Sequence, residues 1–326
     1  MTELYFVLTP NFMLLDLAGP AEAFQIAANH GAPYRLHMVA PVAELTCSIG
    51  LRPHQLNPLP QPIPAGAHIV LIGAENSKVS LQLPEAQAVV AWLREHFNAT
   101  QHHLACVCSG TMLAAYAGLL DHYECTTHHE ILERLRIAAP LAKVLDDRIF
   151  VQDGNIATSA GICSGIDLAL HLIEQQAGSL IAQAVAREMV VWLRRSGQDP
   201  QLSPWLAHRN HLHPMVHKAQ DLISRAPAER WTLEIVAAQV HTSGRNLARL
   251  FLQHCRVSLH QYHLAIRIAT AKQLLNHPNL TIEQIAEQAG FASARDFRRV
   301  WQKEMGMLPS ECRATTYPTK TYAKLK

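Results

Sequence analysis

Two segments in the last third of the chain, residues 231–251 and 280–301, resemble each other at an offset of 49 to 50 residues. Each begins with a Thr that can cap a helix, Thr232 or Thr281, and apolar residues follow at helical spacing. A short turn then leads into a second amphipathic helix. The pattern predicts two helix-turn-helix motifs in tandem, which restrict this part of the chain to an all-α fold.

The second helix of each motif combines an apolar back with a front that is rich in hydrogen-bond donors. The back packs on the domain, while Arg and Asn on the front can bind base edges in a major groove and other polar groups can bind phosphates. A Ser is placed to cap each of these helices. The predicted DNA-contacting residues are Ser243, Arg245, Asn246, Arg249, Ser293, Arg295, Arg298 and Arg299.

A long amphipathic helix is predicted between the two motifs, from Leu259 to Leu275. It would hold the two reading helices at a fixed separation. If that separation is about 34 Å, which is one turn of DNA, both helices can enter successive major-groove segments on one face of the duplex.

The net charge of +2 conceals an uneven distribution. Residues 214–326 carry 16 Lys and Arg against 8 Asp and Glu, whereas residues 1–213 carry 12 against 18. A basic last third fits a polyanionic partner such as double-stranded promoter DNA. A basic face that meets only solvent is the alternative.

Short β-type runs alternate with helical patterns in the first 195 residues. This alternation is typical of a doubly wound α/β sandwich with a largely parallel sheet. The first helix is expected to begin at Gly19-Pro20, since Pro favours the first helical position. A polar, proline-containing stretch then precedes the all-α part. We therefore expect an α/β domain, a linker, an all-α domain and a flexible tail, over residues 1–195, 196–213, 214–313 and 314–326.

An apolar strand from Leu104 to Cys108 runs directly into Ser109-Gly110 and then into a helical pattern. In such folds a nucleophile can stand on this sharp strand-to-helix turn, at the carboxyl edge of the sheet. The N-terminus of the next helix is expected to favour a Cys108 thiolate and to lower its pKa. Asp16 follows the first strand at the same edge. The predicted ligand site comprises Asp16, Cys108, Ser109 and His128.

The all-α domain resembles the DNA-binding module of the AraC/XylS family of bacterial transcription activators over about 217–313. The most specific matches are Ile285-Ala286, Gly290-Phe291, Phe297 and Met305-Gly-Met-Leu-Pro309. The resemblance implies that the second helix of each motif reads DNA. One departure follows the first reading helix, where the family usually has a Gly and this chain has His254-Cys255-Arg256. A non-Gly residue in a left-handed position there costs about 1 kcal/mol.

The first domain resembles ThiJ/PfpI-like domains with a class I glutamine amidotransferase fold, in the version that precedes AraC-type modules. The matches, within about 3–195, are Leu15-Asp16-Leu-Ala-Gly-Pro20, Val107-Cys108-Ser-Gly110, Gly118-Leu-Leu120, Thr126-Thr-His128, Thr158-Ser-Ala-Gly161 and Gly165-Ile-Asp167. The resemblance implies a sensor for a small nitrogen-containing metabolite in a homodimeric regulator, which as an activator would act on RNA polymerase. It also makes Cys108 and Asp16 the counterparts of the nucleophile and the assisting acid of related enzymes.

Two other classes of function stay open on the sequence. One is a cysteine-dependent hydrolase, hydratase or amidase fused to a DNA-binding module. The other is a nucleoid-associated binder without a ligand, whose whole affinity would depend steeply on salt. A shared fold does not carry enzyme chemistry with it, so we expect Cys108 to line a ligand site without catalysis.

No metal or cofactor is expected, because His clusters such as His102-His103 lack paired metal-ligand spacing. Seven cysteines without a disulfide framework predict free thiols. No secretory signal opens the chain, and no apolar run approaches the roughly 20 residues that span a bilayer. We therefore expect a bacterial cytoplasmic protein that associates with the nucleoid and has no membrane partner.

Overall fold

A computed structural model describes residues 1–54, 56–75, 82–191, 195–197, 199, 201–209, 211–275, 277 and 279–316. These residues form two compact units. The first unit runs from Met1 to Gln201, and the second unit begins at Leu202.

The first unit contains both strands and helices. Its strands are β1 (Thr2–Val7), β2 (Tyr34–Val39), β3 (His68–Leu71), β4 (His103–Val107), β5 (Glu124–Cys125), β6 (Lys143–Val144), β7 (Phe150–Asp153) and β8 (Ile156–Ser159). Its α-helices are α1 (Leu14–Asn29), α2 (Pro84–His96), α3 (Thr111–Tyr116), α4 (Leu132–Ala138), α5 (Ser164–Ala177) and α6 (Ser179–Glu188). Two 3₁₀ turns are Cys108–Gly110 and His129–Ile131.

Six of these strands form one sheet in the order β2-β1-β3-β4-β8-β7. Neighbouring strands of this sheet are parallel, except that β7 pairs antiparallel with β8 at one edge. Successive residues of a strand face opposite sides, so in β3 Ile69 belongs to one apolar core and Val70 to the other. Helices α1, α5 and α6 cover one core, and α2, α3 and α4 cover the other. The predicted doubly wound α/β sandwich is confirmed.

Helix α1 begins at Leu14, upstream of the predicted start at Gly19-Pro20, and Pro20 lies inside it. A Pro within a helix lacks one hydrogen-bond donor and costs about 3 kcal/mol or more. Leu14 and Leu17 pack against the apolar core that α1, α5 and α6 cover. We attribute the earlier start of the helix to this packing. As a result Asp16 lies in the first turn of a helix.

The second unit is all-α in its described residues. Its helices are α7 (Pro204–Ala207), α8 (Pro214–Arg225), α9 (Leu233–Gln239), α10 (Gly244–Cys255), α11 (Leu259–Leu275), α12 (Ile282–Gln288), α13 (Ala294–Met305) and α14 (Pro309–Thr316). Helices α9 and α10 form the first helix-turn-helix motif, α12 and α13 form the second, and α11 connects them. Each motif has its own apolar core, built around Phe251 and Tyr262 in the first and around Phe297 and Trp301 in the second.

Equivalent turns of the two motifs use different residues. Gly290, after α12, and Gly306, after α13, have φ angles of 79° and 73°. At the matching positions of the first motif, His241 and Arg256 have φ angles of 58° and 61°. A side chain in this left-handed region costs about 1 kcal/mol more than Gly. The departure from the family at Arg256 therefore lowers stability but keeps the turn.

The predicted linker, 196–213, is divided between the two units at Gln201 and Leu202. Of the predicted flexible tail, residues 317–326 lie outside the described residues. Among the described helices, none has both the length and the apolar character that crossing a bilayer requires.

Candidate functional site

Predicted ligand residues gather at the carboxyl edge of the six-stranded sheet. Asp16 in α1 follows β1, and Cys108 follows β4. Between them lies Gly73, which follows β3. A Cβ added at Gly73 would lie 2.5 Å from Asp16 Oδ2 and 2.9 Å from Cys108 Cβ. The sheet therefore brings these residues into contact, and only a glycine fits between them.

The backbone of Cys108 is strained. Its φ of 56° is rare for a residue with a side chain, and such a conformation costs about 1–3 kcal/mol. The Cys108 carbonyl accepts hydrogen bonds from Thr127 Oγ1 at 2.8 Å and from Thr111 Oγ1 at 3.1 Å. A Cβ added at Gly110 would lie 2.3 Å from the Leu71 carbonyl oxygen, so this turn also requires a glycine. The predicted strand-to-helix elbow at Cys108 is confirmed.

Asp16 is a buried acid without a strong donor. Its side chain is fully buried, and no N–H or O–H group among the described residues forms a hydrogen bond with it. Burial raises its pKa to about 7, and the adjacent Cys108 thiol opposes this shift only in part. Near neutral pH the group is therefore divided between its acid and carboxylate forms. Because an unpaired buried charge is costly, the carboxylate can gain free energy from a cation that reaches it.

The prediction of a Cys108 thiolate is wrong. Burial and then the charge of Asp16 raise the pKa of the Cys108 thiol to about 12. Backbone N–H groups of Ser109 and Ile162 face the sulfur and lower the pKa, but these effects are smaller. Desolvation therefore outweighs the helix N-terminus, and Cys108 is a thiol at neutral pH.

Ser109 uses its hydroxyl within the fold. Its Oγ donates to the Ala74 carbonyl at 2.7 Å and accepts the Ala74 N–H at 2.9 Å, in a buried position. The hydroxyl thus ties the segment after β3 to the elbow after β4. What Ser109 presents to the site is its backbone N–H, which faces the Cys108 sulfur.

His128 follows Thr127, whose hydroxyl binds the Cys108 carbonyl, and it lies beside the segment that follows β8. A Cβ added at Gly161 would lie 2.1 Å from His128 Cδ2. The Nδ1 of His128 accepts the Glu130 N–H at 3.3 Å. Burial first, and then the charge of His129, lower the pKa of His128 against the opposing effect of Glu130.

Three residues that contact the elbow were not predicted as site residues from the sequence: Gly73, Thr127 and Ile162. Gly73 ends an apolar run and so carried a local signal. Thr127 lies within the Thr126-Thr-His128 match but was not among the predicted ligand residues, and the Ile162 N–H carried no local signal.

The second helices of the two motifs carry the predicted DNA-contacting residues. Ser243 and Ser293 cap them, since their hydroxyls accept the Asn246 N–H at 3.3 Å and the Asp296 N–H at 3.1 Å. Arg245 and Arg295 are exposed, and they form no hydrogen bond or ion pair with any other described residue. These two guanidiniums can meet DNA without giving up another contact.

The other predicted readers have contacts within the unit. Asn246 Oδ1 accepts a hydrogen bond from Arg249 at 3.0 Å. Arg298 pairs with Glu283 at 2.8 Å, and Arg299 pairs with Asp296 at 2.7 Å. Exposed pairs of this kind contribute about 0–1 kcal/mol, so a phosphate or a base edge can replace them.

Helix α11 fixes the turn of the second motif. Arg267 Nε donates to the Ala289 carbonyl at 2.9 Å, and its guanidinium lies 4.5 Å from the centre of the Phe291 ring. Gly290 lies so close to the segment before α9 that an added Cβ would be 2.5 Å from Ala228 Cα. A concavity of about 880 Å³ lies between the two motifs, with Arg267 and Gly290 in its wall. The contacts of Arg267 and Gly290 therefore connect the second motif to α11 and to the segment before α9.

Among the residues that the structure describes, no group of three or more His, Cys, Asp or Glu side chains is arranged to hold a metal ion. The seven cysteines of the chain are free thiols, and Cys108 is one of the buried ones.

Comparison with known proteins agrees with both units. Residues 3–175 match the model of the DJ-1/PfpI family, and residues 236–315 match a helix-turn-helix domain. The HTH-type transcriptional regulator GbdR of Pseudomonas aeruginosa is 29% identical over 312 residues, which cover 94% of this chain and 82% of GbdR. Isonitrile hydratase of Pseudomonas putida is 30% identical over 191 residues, which cover 57% of this chain and 77% of the hydratase. A crystal structure of a ThiJ/PfpI family protein from Pseudomonas syringae matches with a TM-score of 0.51 at 18% identity, over 68% of this chain and 86% of that one.

A DJ-1-like α/β sandwich followed by tandem helix-turn-helix motifs defines a class of transcriptional regulators with an AraC-type DNA-binding domain. The chain belongs to the DJ-1/PfpI family, and DNA is the partner of its second unit.

Proposed function

We propose that the first unit binds a small nitrogen-containing metabolite and that this binding controls sequence-specific DNA binding by the second unit. The observation that carries the proposal is the fully buried Asp16 carboxyl, beside the strained Cys108 elbow and without an N–H or O–H donor among the described residues. A cationic nitrogen group would pair with the carboxylate and offset the cost of its burial.

The predicted ligand residues together favour a cation over an anion. Cys108 is a neutral thiol because its pKa is raised to about 12. His128 has a pKa that burial lowers, so it carries less positive charge near neutral pH than an exposed imidazole does. The site then offers one acid, one polarizable sulfur and one imidazole that can donate or accept a hydrogen bond. This set fits a small metabolite that carries an ammonium group.

A cationic effector is expected to bind about tenfold more tightly at pH 8 than at pH 6, because Asp16, with a pKa of about 7, is mostly ionised only at the higher pH. Calorimetric titration of the full chain with a panel of small cationic and neutral nitrogen compounds measures this. Asp16→Asn should remove both the pH dependence and most of the affinity. Glu22→Gln, which neutralises an exposed carboxylate on the same helix, is the matched control. Equal binding to the parent and to Asp16→Asn would place the effector elsewhere.

The second unit is expected to read bases through its unpaired guanidiniums. Arg295→Ala should cost about 1–3 kcal/mol of affinity for an operator obtained by selection in vitro, and should relax the preference at one base pair. Lys143→Ala, which removes an exposed positive charge from the first unit, controls for net charge. Equal losses on the operator and on a scrambled duplex would instead make Arg295 a phosphate contact. If the parent itself shows no preference between the two duplexes at any salt concentration, the chain is a non-specific nucleoid binder.

We further propose a homodimer that acts in the bacterial cytoplasm on the nucleoid and activates transcription through RNA polymerase. Similarity to GbdR over 94% of the chain supports transcriptional regulation by the whole protein. Activation and dimerisation rest on the resemblance to AraC/XylS regulators.

A cysteine-dependent hydrolase, hydratase or amidase is the second candidate, because the first unit is similar to isonitrile hydratase and places Cys108 on an elbow. The protonation state of Cys108 argues against this candidate. The nucleophile in such enzymes is the thiolate, and the raised pKa keeps Cys108 a thiol. We therefore propose that Cys108 lines the ligand site without turnover. Hydration of an isonitrile or hydrolysis of an amide that is lost in Cys108→Ser would reverse this choice.

A further inference from the structure

The last residue of the first unit is bonded to the wall of the ligand site. Gln201 Nε2 donates to the Thr127 carbonyl at 2.8 Å and to Thr126 Oγ1 at 3.4 Å. The backbone N–H of Gln201 donates to Asp147 Oδ1 at 2.9 Å. The next residue, Leu202, begins the second unit. The chain therefore leaves the first unit at a residue whose side chain is hydrogen-bonded to Thr126 and Thr127.

Thr127 connects this side chain to the elbow. Its side chain is fully buried, and its Oγ1 donates to the Cys108 carbonyl at 2.8 Å. The residue after it is His128, which is one of the predicted ligand residues. A change in the strained backbone of Cys108, or in the position of His128, would therefore move the carbonyl that Gln201 binds. Thr127 therefore connects Cys108 directly to Gln201, the last residue of the first unit.

Two other contacts near the end of the first unit join residues outside the predicted ligand site. Arg195 Nη2 pairs with Asp167 Oδ2 at 2.7 Å, and the Asp199 carbonyl accepts the Ile149 N–H at 3.0 Å. The Oε1 of Gln201 is buried and has no donor among the described residues. An amide that is satisfied at one end only is held less firmly than a fully paired one. Such a contact suits a bond that must break and reform.

We propose that Gln201 couples the ligand site to the second unit. Binding at Asp16, Cys108 and His128 displaces Thr127, changes its bond to Gln201 and so changes the freedom of the chain where the second unit begins. The coupling rests on the proposed control of DNA binding by an effector. It requires the bond between Thr127 and Gln201 to be more stable in one state of the site than in the other. Gln201 is a positioning residue, since it acts through Thr127.

Four full-length proteins test the coupling: the parent, Asp16→Asn, Gln201→Leu and the double variant. Asp16→Asn is the probe of the site, because it removes the ionised form of the carboxyl with little change in size. The Kd for the selected operator is the readout. In the parent background, Asp16→Asn should change this Kd by about fivefold or more. In the Gln201→Leu background the change should be less than about twofold. Gln87→Leu, on the exposed side of α2, is the matched control and should preserve the full effect.

Gln201→Glu keeps the length of the side chain, removes the donor and replaces Gln201→Leu if that variant does not fold. An undiminished effect of Asp16→Asn in these Gln201 backgrounds would overturn the coupling and leave effector control standing, because Gln201 would then have only a structural role. No effect of Asp16→Asn on operator affinity in any background would overturn the coupling and the proposed effector control together.

Discussion

The free energy of unfolding of the first unit is expected to fall by about 4 kcal/mol between pH 4 and pH 8 through Asp16 alone. Burial raises the pKa of this carboxyl from 3.8 to about 7. Between these values the folded chain keeps a proton that the unfolded chain has released, so each pH unit lowers stability by about 1.4 kcal/mol. The loss is absent below the unfolded pKa and complete above the folded one. Asp16→Asn removes this titration, so its stability relative to the parent should rise with pH by the same amount.

Urea unfolding of the full chain at several pH values measures this difference, and hydrogen exchange of the β1 and β4 amides assigns the transition of the first unit. Other titrations, such as that of His68 with its pKa lowered to about 3, occur in both proteins and cancel in the comparison. Glu22→Gln should follow the parent at every pH. Parallel pH profiles for the parent and Asp16→Asn would contradict a buried, unpaired carboxyl.

The cost of ionising Asp16 connects stability to ligand binding. A cation that pairs with the carboxylate recovers part of this cost, so the effector should stabilise the first unit most above pH 7, where the parent is weakest. In Asp16→Asn there is no such cost to recover. The same substitution therefore raises the stability of the empty unit and removes the stabilisation by a ligand, a combination that a purely structural role of Asp16 would not produce.

The DNA-binding unit is the part that the sequence predicts most closely, because its signals are local. Helix α11 has the predicted bounds, Leu259 and Leu275, and Thr281 caps α12 as predicted, in a capping box with Gln284. Helical period and capping residues are encoded within a few positions of each other, and tertiary packing here agrees with them.

The proposed ligand site is less predictable because its properties arise from distant parts of the chain. The elbow at Cys108 follows from a strand that runs into Ser109-Gly110, but the direction of its pKa shift depends on burial by several elements. In the same way, Pro20 suggests a helix start, whereas packing of Leu14 and Leu17 begins the helix earlier. The bond from Gln201 to Thr127 spans 74 residues, and no local pattern indicates it.

Gly290→Ala is expected to destabilise the second unit by about 2–4 kcal/mol and to weaken operator binding by about tenfold or more. At a φ of 79°, Ala is strained by about 1 kcal/mol. Its Cβ would also lie 2.5 Å from the Cα and from the carbonyl oxygen of Ala228, and backbone atoms cannot rotate away as a side chain can. The turn between α12 and α13 must therefore move. Arg267 contacts Ala289 and Phe291 and so connects this turn to α11. When the turn moves, α13 is therefore displaced relative to α10.

Gly306→Ala separates the two causes. Gly306 has a φ of 73°, and among the described residues only its own chain neighbours come within 4 Å of an added Cβ, so this variant carries the backbone strain without the collision. It should lose about 1 kcal/mol of stability and keep its operator affinity. Urea unfolding and operator titration of both variants make the comparison, and equal losses would mean that the approach of Gly290 to Ala228 has no part in DNA binding. A loss of affinity confined to Gly290→Ala would show that this approach sets the distance between the reading helices. Neither motif defines that distance alone, and both helices can enter successive major-groove segments only if it is about 34 Å.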